Sequence, residues 1–341
     1  MTTIAPPRVR RGDAVAIISP SAPAIDWWPH RAERGMRYLE SLGLRPRLMP
    51  NAGGRERWTS GSGRRRADDI HRAFADPEVS VVLCAIGGNH SNQVVPHLDY
   101  RVIADNPKIF QGYSDVTVLH WALLARAGLR TFYGPALTVE LAEYPQVLPY
   151  TDAALRTAWF GEAPPVVRPA REWTDERLDF FAKDDLRRAR ELRPSDGWVT
   201  VRGGRAQGPL LGGCLETICW HLTGSDIAVD LSGAVLLLET SEQSRSPADV
   251  DSYLTDLRDT LASVAGVVFA RPYRFSRDDA AALWDVVREH TAPSGVPVIG
   301  NVELGHADPM LTLPLGTPVR MDADALTFDV LEPATQGRDV T

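Results

Sequence analysis

The chain has 341 residues, of which 44% are hydrophobic and 24% are charged, and its formal net charge is −7. These values describe a globular protein of two domains or one large one. The acidic charge disfavours a nucleic-acid polymer as partner, because phosphate neutralisation needs a basic surface. No run of 18 apolar residues occurs, so no membrane span is expected, and the amino-terminal segment lacks the apolar core of a secretory signal, which favours a cytoplasmic location.

The first part of the chain alternates between strand-like and helix-like patterns. Three predicted strands and three predicted helices cover, respectively, residues 13–19, 44–49 and 79–86, and residues 30–42, 64–74 and 116–127. The run at 79–86 is almost continuously apolar, as in a strand buried on both faces. This β-α-β-α order predicts an α/β fold with a parallel sheet and helices on both faces.

The character of the sequence changes in the middle of the chain, where charge, proline and scattered aromatic residues dominate. Beyond it, strands are expected at 234–238 and 266–270, and helices at 212–222, 247–261 and 278–290. We therefore predict an N-terminal α/β domain, a linker with aromatic residues and a C-terminal domain, at residues 1–150, 151–205 and 206–341.

Cysteine is sparse, and three cysteines argue against a disulfide framework because the number is odd. Cys84 and Cys214 lie among apolar residues and glycines, where a packed and unreactive thiol is the default. A cysteine nucleophile is therefore disfavoured.

The segment 108–119 is the most informative in the chain. An apolar strand end meets Gly112, and a helix is predicted to begin just after Ser114. A serine on such a sharp turn presents its hydroxyl at the sheet edge, where amides of the helix N-terminus can stabilise an oxyanion. A helix cap is equally compatible with a serine at this position.

A glycine pair, Gly87 and Gly88, follows the buried strand at 79–86. Paired glycines let the backbone approach a ligand closely and offer amides to an anion, although a tight turn alone would also explain them. The Gly-x-Gly-x-x-Gly pattern of dinucleotide binding is absent. The basic segment 61–66 lacks the Gly-Lys-Ser/Thr ending of a phosphate loop, which favours a solvated loop that leads into a helix.

Two further positions carry candidate chemistry. Glu239 ends an apolar strand, where a lone buried carboxylate is costly, so either a histidine or an arginine is expected as its partner. His306 lies in a turn after a short strand, and histidine has the near-neutral pKa that a general base needs, although a lone histidine is more often structural. No Cys or His cluster with metal-ligand spacing accompanies it, so no metal is expected.

Taken together and in this order, the segments resemble the LD-carboxypeptidase family of serine peptidases, and within it the microcin C self-immunity branch (MccF-like). The resemblance covers nearly the whole chain. Further matching segments are residues 12–13, 19–21, 66–69, 73–77, 96–100, 134–135, 212–213 and 313–316.

The resemblance implies roles for the candidate residues. It makes Ser114 the nucleophile, Glu239 the acid and His306 the general base, with the amides of Gly88 and Asp115 as oxyanion hole. It implies a Rossmann-like N-terminal domain and a smaller C-terminal α/β domain, with the triad formed across their interface. It further implies a homodimer that needs no metal and no redox cofactor.

The substrate is less determined by the resemblance. The glycine turn at 86–91 is closer to the immunity branch than to murein-recycling enzymes, which carry an arginine there, and Cys214 stands where the family usually has asparagine. We expect a peptidyl- or aminoacyl-nucleotide substrate; the alternatives are a murein tetrapeptide and a non-catalytic binding module. The expected substrate-binding residues are Gly87, Asn89, Ser91, Trp173, Phe180 and Trp198. The three aromatic residues, together with Phe181, either stack on a nucleobase or pack the linker.

Overall fold

The structure is a computed structural model that describes residues 3–338. The strands of this part are β1 Ala14–Ile18, β2 Arg45–Leu48, β3 Val79–Cys84, β4 Ile109–Gly112, β5 Thr131–Tyr133, β6 Glu172–Trp173, β7 Arg193–Pro194, β8 Val199–Arg202, β9 Arg205–Cys214, β10 Val235–Glu239, β11 Gly266–Ala270, β12 Val298–Val302, β13 Leu313–Leu315, β14 Pro318–Asp322 and β15 Thr327–Val330. The helices are α1 Ala24–Trp27, α2 Pro29–Ser41, α3 Gly63–Ala75, α4 Tyr100–Asp105, α5 Thr117–Ala127, α6 Pro149–Phe160, α7 Leu215–Thr217, α8 Pro247–Asp256, α9 Arg258–Ser263 and α10 Arg277–Thr291.

The first sheet has the strand order β13-β5-β4-β3-β1-β2, and all its strands are parallel except β13 at one edge. Alternate residues of β1 point to opposite faces. Val15 and Ile17 share a core with α2 and α6, while Ala16 and Ile18 share one with α3 and α5. Helices therefore cover both faces, which explains why β1 and β3 are apolar throughout. The predicted α/β class with a parallel N-terminal sheet is confirmed.

The second sheet has the order β15-β14-β9-β10-β11-β12-β8. Its four central strands, β9 to β12, are parallel, and antiparallel strands complete both edges. One face packs against α8 and α10 through Leu254 and Leu283, and the same core includes Val118 and Trp121 of α5. The C-terminal α/β region is thus packed directly on the N-terminal one.

Gly213 permits this close packing, and Gly212 beside it permits the close pairing of β9 with β10. A Cβ on Gly213 would lie 2.5 Å from the Thr117 hydroxyl oxygen, and one on Gly212 would lie 2.0 Å from the Leu237 carbonyl oxygen. Two hydrogen bonds cross the same junction: the Cys214 amide donates to the Thr117 hydroxyl at 3.0 Å, and the Trp121 indole donates to the Gly212 carbonyl at 3.0 Å. The start of α5 is therefore fixed against the end of β9.

Some elements differ from the sequence prediction. Residues 212–214, predicted as helical, are the last residues of β9, because the glycines pair with β10; α7 and a π-helical turn at Ile218–Leu222 follow. The helix predicted at 247–261 is two helices, α8 and α9, which meet at Leu257.

The predicted linker also differs from its expected extent. β8 lies within residues 151–205 but joins the second sheet, and β13 returns from the C-terminal part to pair with β5. Among residues 3–338, we find no helix with the length and apolar character that a membrane crossing requires.

Candidate active site

Ser114 lies on a strained turn at the carboxyl end of β4. Its backbone φ is +64°, in the left-handed region that non-glycine residues rarely adopt. A 3₁₀ turn at Ser114–Val116 leads straight into α5, and the Thr117 hydroxyl donates to the Ser114 carbonyl at 2.6 Å. The strained backbone and the place of Ser114 after β4 together present its side chain above the edge of the sheet, as a nucleophile requires.

Glu239, the last residue of β10, is completely buried and has a partner on each oxygen. Its Oε2 is 2.8 Å from Nδ1 of His306, and its Oε1 accepts the Tyr133 hydroxyl at 2.6 Å. The Tyr133 hydroxyl oxygen in turn accepts the Ser114 amide at 3.1 Å. Burial raises the pKa of Tyr133 well above its usual value, so the phenol stays protonated and can donate. One continuous network thus links the backbone of Ser114 to the carboxylate and the imidazole.

The contact between Glu239 and His306 depends on a glycine. Gly305 has a φ of +72°, and a Cβ added to it would lie 2.4 Å from Oε2 of Glu239. Any side chain there would push the carboxylate away from the imidazole. The Gly-His dipeptide after β12 is therefore a steric requirement of the hydrogen bond.

The glycine turn after β3 is fastened to the turn that carries Ser114. The Asp115 carboxylate accepts the amides of His90 and Ser91 at 3.0 and 2.9 Å, and the Ser91 hydroxyl donates to the Asp115 carbonyl at 2.6 Å. A Cβ on Gly87 would lie 3.0 Å from Cβ of Ser114, so only glycine lets the turn pass so close. The amide of Gly88 donates to no other residue in the range 3–338, which leaves it available to a ligand.

His306 has a shifted pKa. Burial of the imidazole works to lower the pKa, but the Glu239 carboxylate, with Glu242 and Glu216 further away, raises it to about 9. Glu242 is half-exposed and its carboxylate lies 3.6 Å from Nε2 of His306. Nε2 is thus directed toward the cavity and protonated at neutral pH in this arrangement.

A cavity of about 290 Å³ opens above these groups. Ser114 and His306 both line it, as do Gly87, Gly88 and Asn89 of the glycine turn. Its aromatic lining is Trp27, Trp28, Trp58, Tyr113, Phe180 and Tyr273. Its charged lining is Glu176, Arg177, Arg190, Glu242 and Asp308, besides His306.

Comparison with known proteins identifies the family. Residues 15–134 match the LD-carboxypeptidase N-terminal domain, and residues 207–321 match the LD-carboxypeptidase C-terminal domain. A Vibrio cholerae protein named as a carboxypeptidase is 30% identical over 93% of this chain and 94% of its own length. The chain belongs to the LD-carboxypeptidase family. It is accordingly a serine-type carboxypeptidase, a hydrolase.

Within the LD-carboxypeptidases, the chain is similar to the MccF-like branch. The Microcin C7 self-immunity protein MccF of Escherichia coli is 27% identical over 94% of both chains. The wild-type apo structure of MccF aligns with a TM-score of 0.89 at 26% identity, covering 98% of this chain and 100% of that one. An MccF-like protein from Streptococcus pneumoniae, solved in complex with AMP, aligns with a TM-score of 0.80 at 27% identity, covering 94% and 99% of the two chains.

Not all the substrate-binding residues expected in this LD-carboxypeptidase reach the cavity. Phe180 lines it, whereas Ser91, Trp173 and Trp198 do not. Ser91 is buried by its bonds to Asp115. Trp198 is buried against the face of the second sheet opposite α8 and α10, and its indole donates to Glu303 at 2.7 Å. Trp173 packs against the guanidinium groups of Arg193 and Arg271.

Several residues near the LD-carboxypeptidase cavity were not anticipated. Tyr133 is the second partner of Glu239, and its position at the end of β5, just before Gly134-Pro135, was the available signal. Trp27, Trp28 and Trp58 supply aromatic surface from the N-terminal domain, and Arg177 supplies a cation that forms no ion pair with any residue from 3 to 338. Sequence alone offered no sign of which distant aromatic or basic residues would converge.

Proposed function

We propose that this LD-carboxypeptidase hydrolyses an amide bond in a peptidyl- or aminoacyl-nucleotide through a triad of Ser114, His306 and Glu239. The observation that carries the proposal is the shared cavity: the strained Ser114 and the Glu239-bound His306 both face it. The three residues come from the turn after β4, the end of β10 and the loop after β12, so the proposed triad depends on the packing of α5 against β9.

The proposed chemistry is acyl transfer to serine. His306 in its neutral form takes the proton of the Ser114 hydroxyl through Nε2 as Oγ attacks the substrate carbonyl, and Glu239 stabilises the resulting imidazolium. His306 then gives the proton to the leaving nitrogen, and water hydrolyses the acyl-enzyme with the same histidine as base. The Glu242 carboxylate lies 3.6 Å from Nε2 of His306, so it must move away before the Ser114 hydroxyl can donate to that nitrogen.

Amides of the backbone would stabilise the oxyanion. The proposed donors are the amide of Gly88, which has no acceptor among residues 3–338, and the amide of Asp115 in the turn that precedes α5. Asp115 also holds the glycine turn in position through its side chain. Two donors that are already oriented before reaction cost no reorganisation in the transition state.

Aromatic and basic groups support a nucleotide as part of the substrate. Phe180 and Trp28 lie together in the cavity wall with ring centroids 5.3 Å apart, and stacking on a nucleobase suits such a surface. Arg177, which lines the cavity and forms no ion pair among residues 3–338, can hold a phosphoryl or sulfamoyl group. MccF has been solved with glutamyl sulfamoyl guanosine and with aspartyl sulfamoyl adenosine, which gives the class of compound to test.

A murein tetrapeptide is the second candidate, and Arg177 is the observation that favours it. A carboxypeptidase needs a cation for the terminal carboxylate of its substrate, and the glycine turn of this chain has no arginine. Arg177, which lines the cavity, supplies such a cation. One related protein is named for this activity: a murein tetrapeptide carboxypeptidase of Pseudomonas aeruginosa is 36% identical over 36% of this chain.

One assay separates the two substrates. The purified enzyme is incubated with an aspartyl sulfamoyl adenosine and, separately, with murein tetrapeptide, and products are followed by mass spectrometry. We expect release of aspartate in the first reaction, with Ser114→Ala inactive and correctly folded. Release of D-alanine alone would favour the murein candidate, and activity of Ser114→Ala at the wild-type rate would exclude the triad.

Two further predictions concern the setting of the enzyme. We propose a homodimer, on the basis of the resemblance, and a cytoplasmic location, on the basis of the sequence. Light scattering after size exclusion checks the first, because a dimer has twice the 37.4 kDa of one chain. Cell fractionation checks the second.

A further inference from the structure

One carboxylate of the cavity wall has no arginine partner. The lining contains three acidic side chains: Glu176, Glu242 and Asp308. Glu176 pairs with Arg188, and Asp308 pairs with Arg190. Among residues 3–338, Glu242 forms an ion pair only with His306, at 3.6 Å from Nε2, and its side chain is 51% exposed. Its carboxylate therefore lies beside the reacting groups and is open to a ligand.

The loop that carries Glu242 is held by a buried glutamate. Oε1 of Glu216 accepts the amide and the hydroxyl of Ser241 at 2.9 and 3.1 Å, and the amide and the hydroxyl of Ser244 at 3.1 and 2.6 Å. Oε2 of Glu216 accepts the Cys214 thiol at 3.1 Å. The loop is thus fastened on both sides of Glu242, which keeps this residue in the cavity wall.

A cation lies near Glu242 but does not pair with it. Burial raises the pKa of Tyr273, Arg177 and Arg274 lower it, and Glu242 raises it, so Arg177 and Glu242 both lie near the phenol. These two residues and Tyr273 line the cavity, yet Arg177 and Glu242 form no ion pair with each other. A ligand that carries an ammonium group and a phosphoryl or sulfamoyl group is complementary to such a wall.

The proposed chemistry restricts which ammonium group can reach Glu242. Nε2 of His306 takes the proton of the attacking Ser114 hydroxyl, so the attacked carbonyl carbon lies within a few ångströms of that nitrogen. The Glu242 carboxylate is 3.6 Å from the same nitrogen. The α-nitrogen of an aminoacyl group is about 2.5 Å from its carbonyl carbon, whereas the ammonium of a lysine side chain is four bonds more distant. The α-amino group is therefore the cation that Glu242 can reach.

From this arrangement we propose that Glu242 binds the free α-ammonium group of an aminoacyl-nucleotide, and that the enzyme therefore prefers aminoacyl- to peptidyl-nucleotides. The inference rests on the proposed function, since it names the substrate class of the same cavity. A charged hydrogen bond to the ammonium group replaces the contact of Glu242 with His306. Substrate binding thus moves the carboxylate away from Nε2, which leaves that nitrogen to the Ser114 hydroxyl.

Binding to an inactive variant tests the site without turnover. In the Ser114→Ala background, isothermal titration compares aspartyl sulfamoyl adenosine with two altered ligands. The succinyl analogue lacks only the amino group, and the N-acetyl form represents a peptidyl compound. We expect both to bind about 10-fold more weakly, the lower end of the range for a charged hydrogen bond, because Glu242 is half-exposed and solvent screens its charge.

A second substitution tests whether Glu242 causes this difference. Glu242→Gln in the same background should reduce both differences to about threefold or less, because it removes the charge and keeps the size of the side chain. The matched control is Glu176→Gln, which removes another carboxylate of the cavity wall, the one that pairs with Arg188. It should keep the full difference. Thermal unfolding of each variant verifies that the fold is retained.

Three results would overturn the ammonium site: equal binding of all three ligands, weaker binding of the N-acetyl form alone, which indicates steric hindrance, or a difference that persists in Glu242→Gln. Absence of binding by all three ligands would overturn the nucleotide substrate as well.

Turnover by the wild-type enzyme separates this site from the proposed hydrolysis. If the enzyme cleaves the free and the N-acetyl compounds with equal kcat/KM, the hydrolysis stands and the ammonium site fails. If Ser114→Ala discriminates between the ligands as expected but wild-type enzyme cleaves neither compound, the ammonium site stands and the hydrolysis fails.

Discussion

Two regions line the cavity and are held in place by different interactions. The paired turns, defined as residues 86–91 and 112–117, are fixed by two backbone amides that donate to the buried Asp115 carboxylate and by the Ser91 hydroxyl, which donates to the Asp115 carbonyl. The connecting segment, defined as residues 161–198, is fixed by ion pairs of its side chains in addition to the backbone pairing of Thr174 with Asp308 and of β6 with β7. Asp185 pairs with Arg31 at 2.7 Å and with Arg34, and Arg190 pairs with Glu143 and Asp308.

This difference suits different tasks. Main-chain amides that are held in fixed positions suit the oxyanion hole proposed for the paired turns. The ion pairs and ring contacts of the connecting segment depend on particular side chains: Phe180, for example, lies under the Arg31 guanidinium at 3.7 Å. Burial works to raise the pKa of Asp185, but Arg31 and Arg34 hold it below its usual value, so these ion pairs persist at neutral pH. We infer that the turns perform the chemistry and the segment selects the substrate.

Removal of the nucleophile should give the largest effect and test this division most directly. Ser114→Ala is expected to lower kcat by about 10⁴-fold or more, as in other serine hydrolases, while leaving the Kd of an aminoacyl sulfamoyl nucleoside within about threefold. Single-turnover kinetics and calorimetry measure the two quantities. A comparable loss of binding would mean that the turns also select the ligand, and the division would fail.

Removal of the Asp115 carboxylate, which holds the glycine turn, should give the next largest effect. Asp115→Ala leaves the amides of His90 and Ser91 without their acceptor, which costs about 1–3 kcal/mol of stability for a buried donor. If the turn then shifts, loss of one oxyanion donor lowers kcat by about 10²- to 10³-fold. Kinetics and thermal unfolding measure both effects.

The matched control for Asp115→Ala is Asp115→Asn, which keeps a side-chain acceptor oxygen near the amides of His90 and Ser91. It should lose less than Asp115→Ala in both kcat and stability. Equal kcat for Asp115→Ala and wild type would show that the glycine turn keeps its position without the carboxylate.

If the connecting segment selects the substrate, a substitution in it should have a smaller effect, which appears in KM rather than in kcat. Phe180→Ala should raise the KM for a nucleoside substrate by about 10-fold, since a base–aromatic contact contributes about 1–3 kcal/mol, with little change in kcat. Phe181→Ala is the matched control, because this neighbour is 65% exposed and lies outside the cavity lining. The interpretation would be wrong if both variants had the same KM, or if Phe180→Ala lowered kcat alone.

Much of the fold was accessible from the sequence because local patterns determine it. Buried parallel strands such as β1 and β3 are apolar throughout, and helices such as α5 end at a glycine, here Gly128 with a φ of +64°. The residues of the predicted triad were accessible for a related reason. Two of them lie in short segments that contain a glycine: Gly112 precedes Ser114 by two residues, and Gly305 directly precedes His306. Glu239 instead ends an apolar run, where a carboxylate stands out.

The rest depends on contacts between distant residues. Nothing in the sequence around Trp198 and Trp173 distinguishes them from Phe180, yet only Phe180 lines the cavity. The indole of Trp198 donates to Glu303 instead, and Trp173 packs against the guanidinium groups of Arg193 and Arg271. Residues 212–214 have a helical context, but their pairing with β10 makes them a strand. Such outcomes follow from tertiary packing, which overrides local propensity.

The smallest predicted effect concerns the pH dependence of activity and is centred on His306, which lies outside both regions. Because the pKa of His306 is raised to about 9, its neutral form is scarce at pH 7, and kcat/KM should rise with pH, reach half of its maximum near pH 9 and level off above that pH. Glu242→Gln removes one carboxylate that raises this pKa, so the limb should move to lower pH. The shift should be less than about one pH unit, since solvent screens a half-exposed charge.

The control is Glu289→Gln, which removes an exposed carboxylate on α10 and should leave the pH profile in place. An unmoved limb in Glu242→Gln would mean that Glu239 alone sets the basicity of the imidazole, and that the carboxylate seen beside Nε2 leaves when substrate binds.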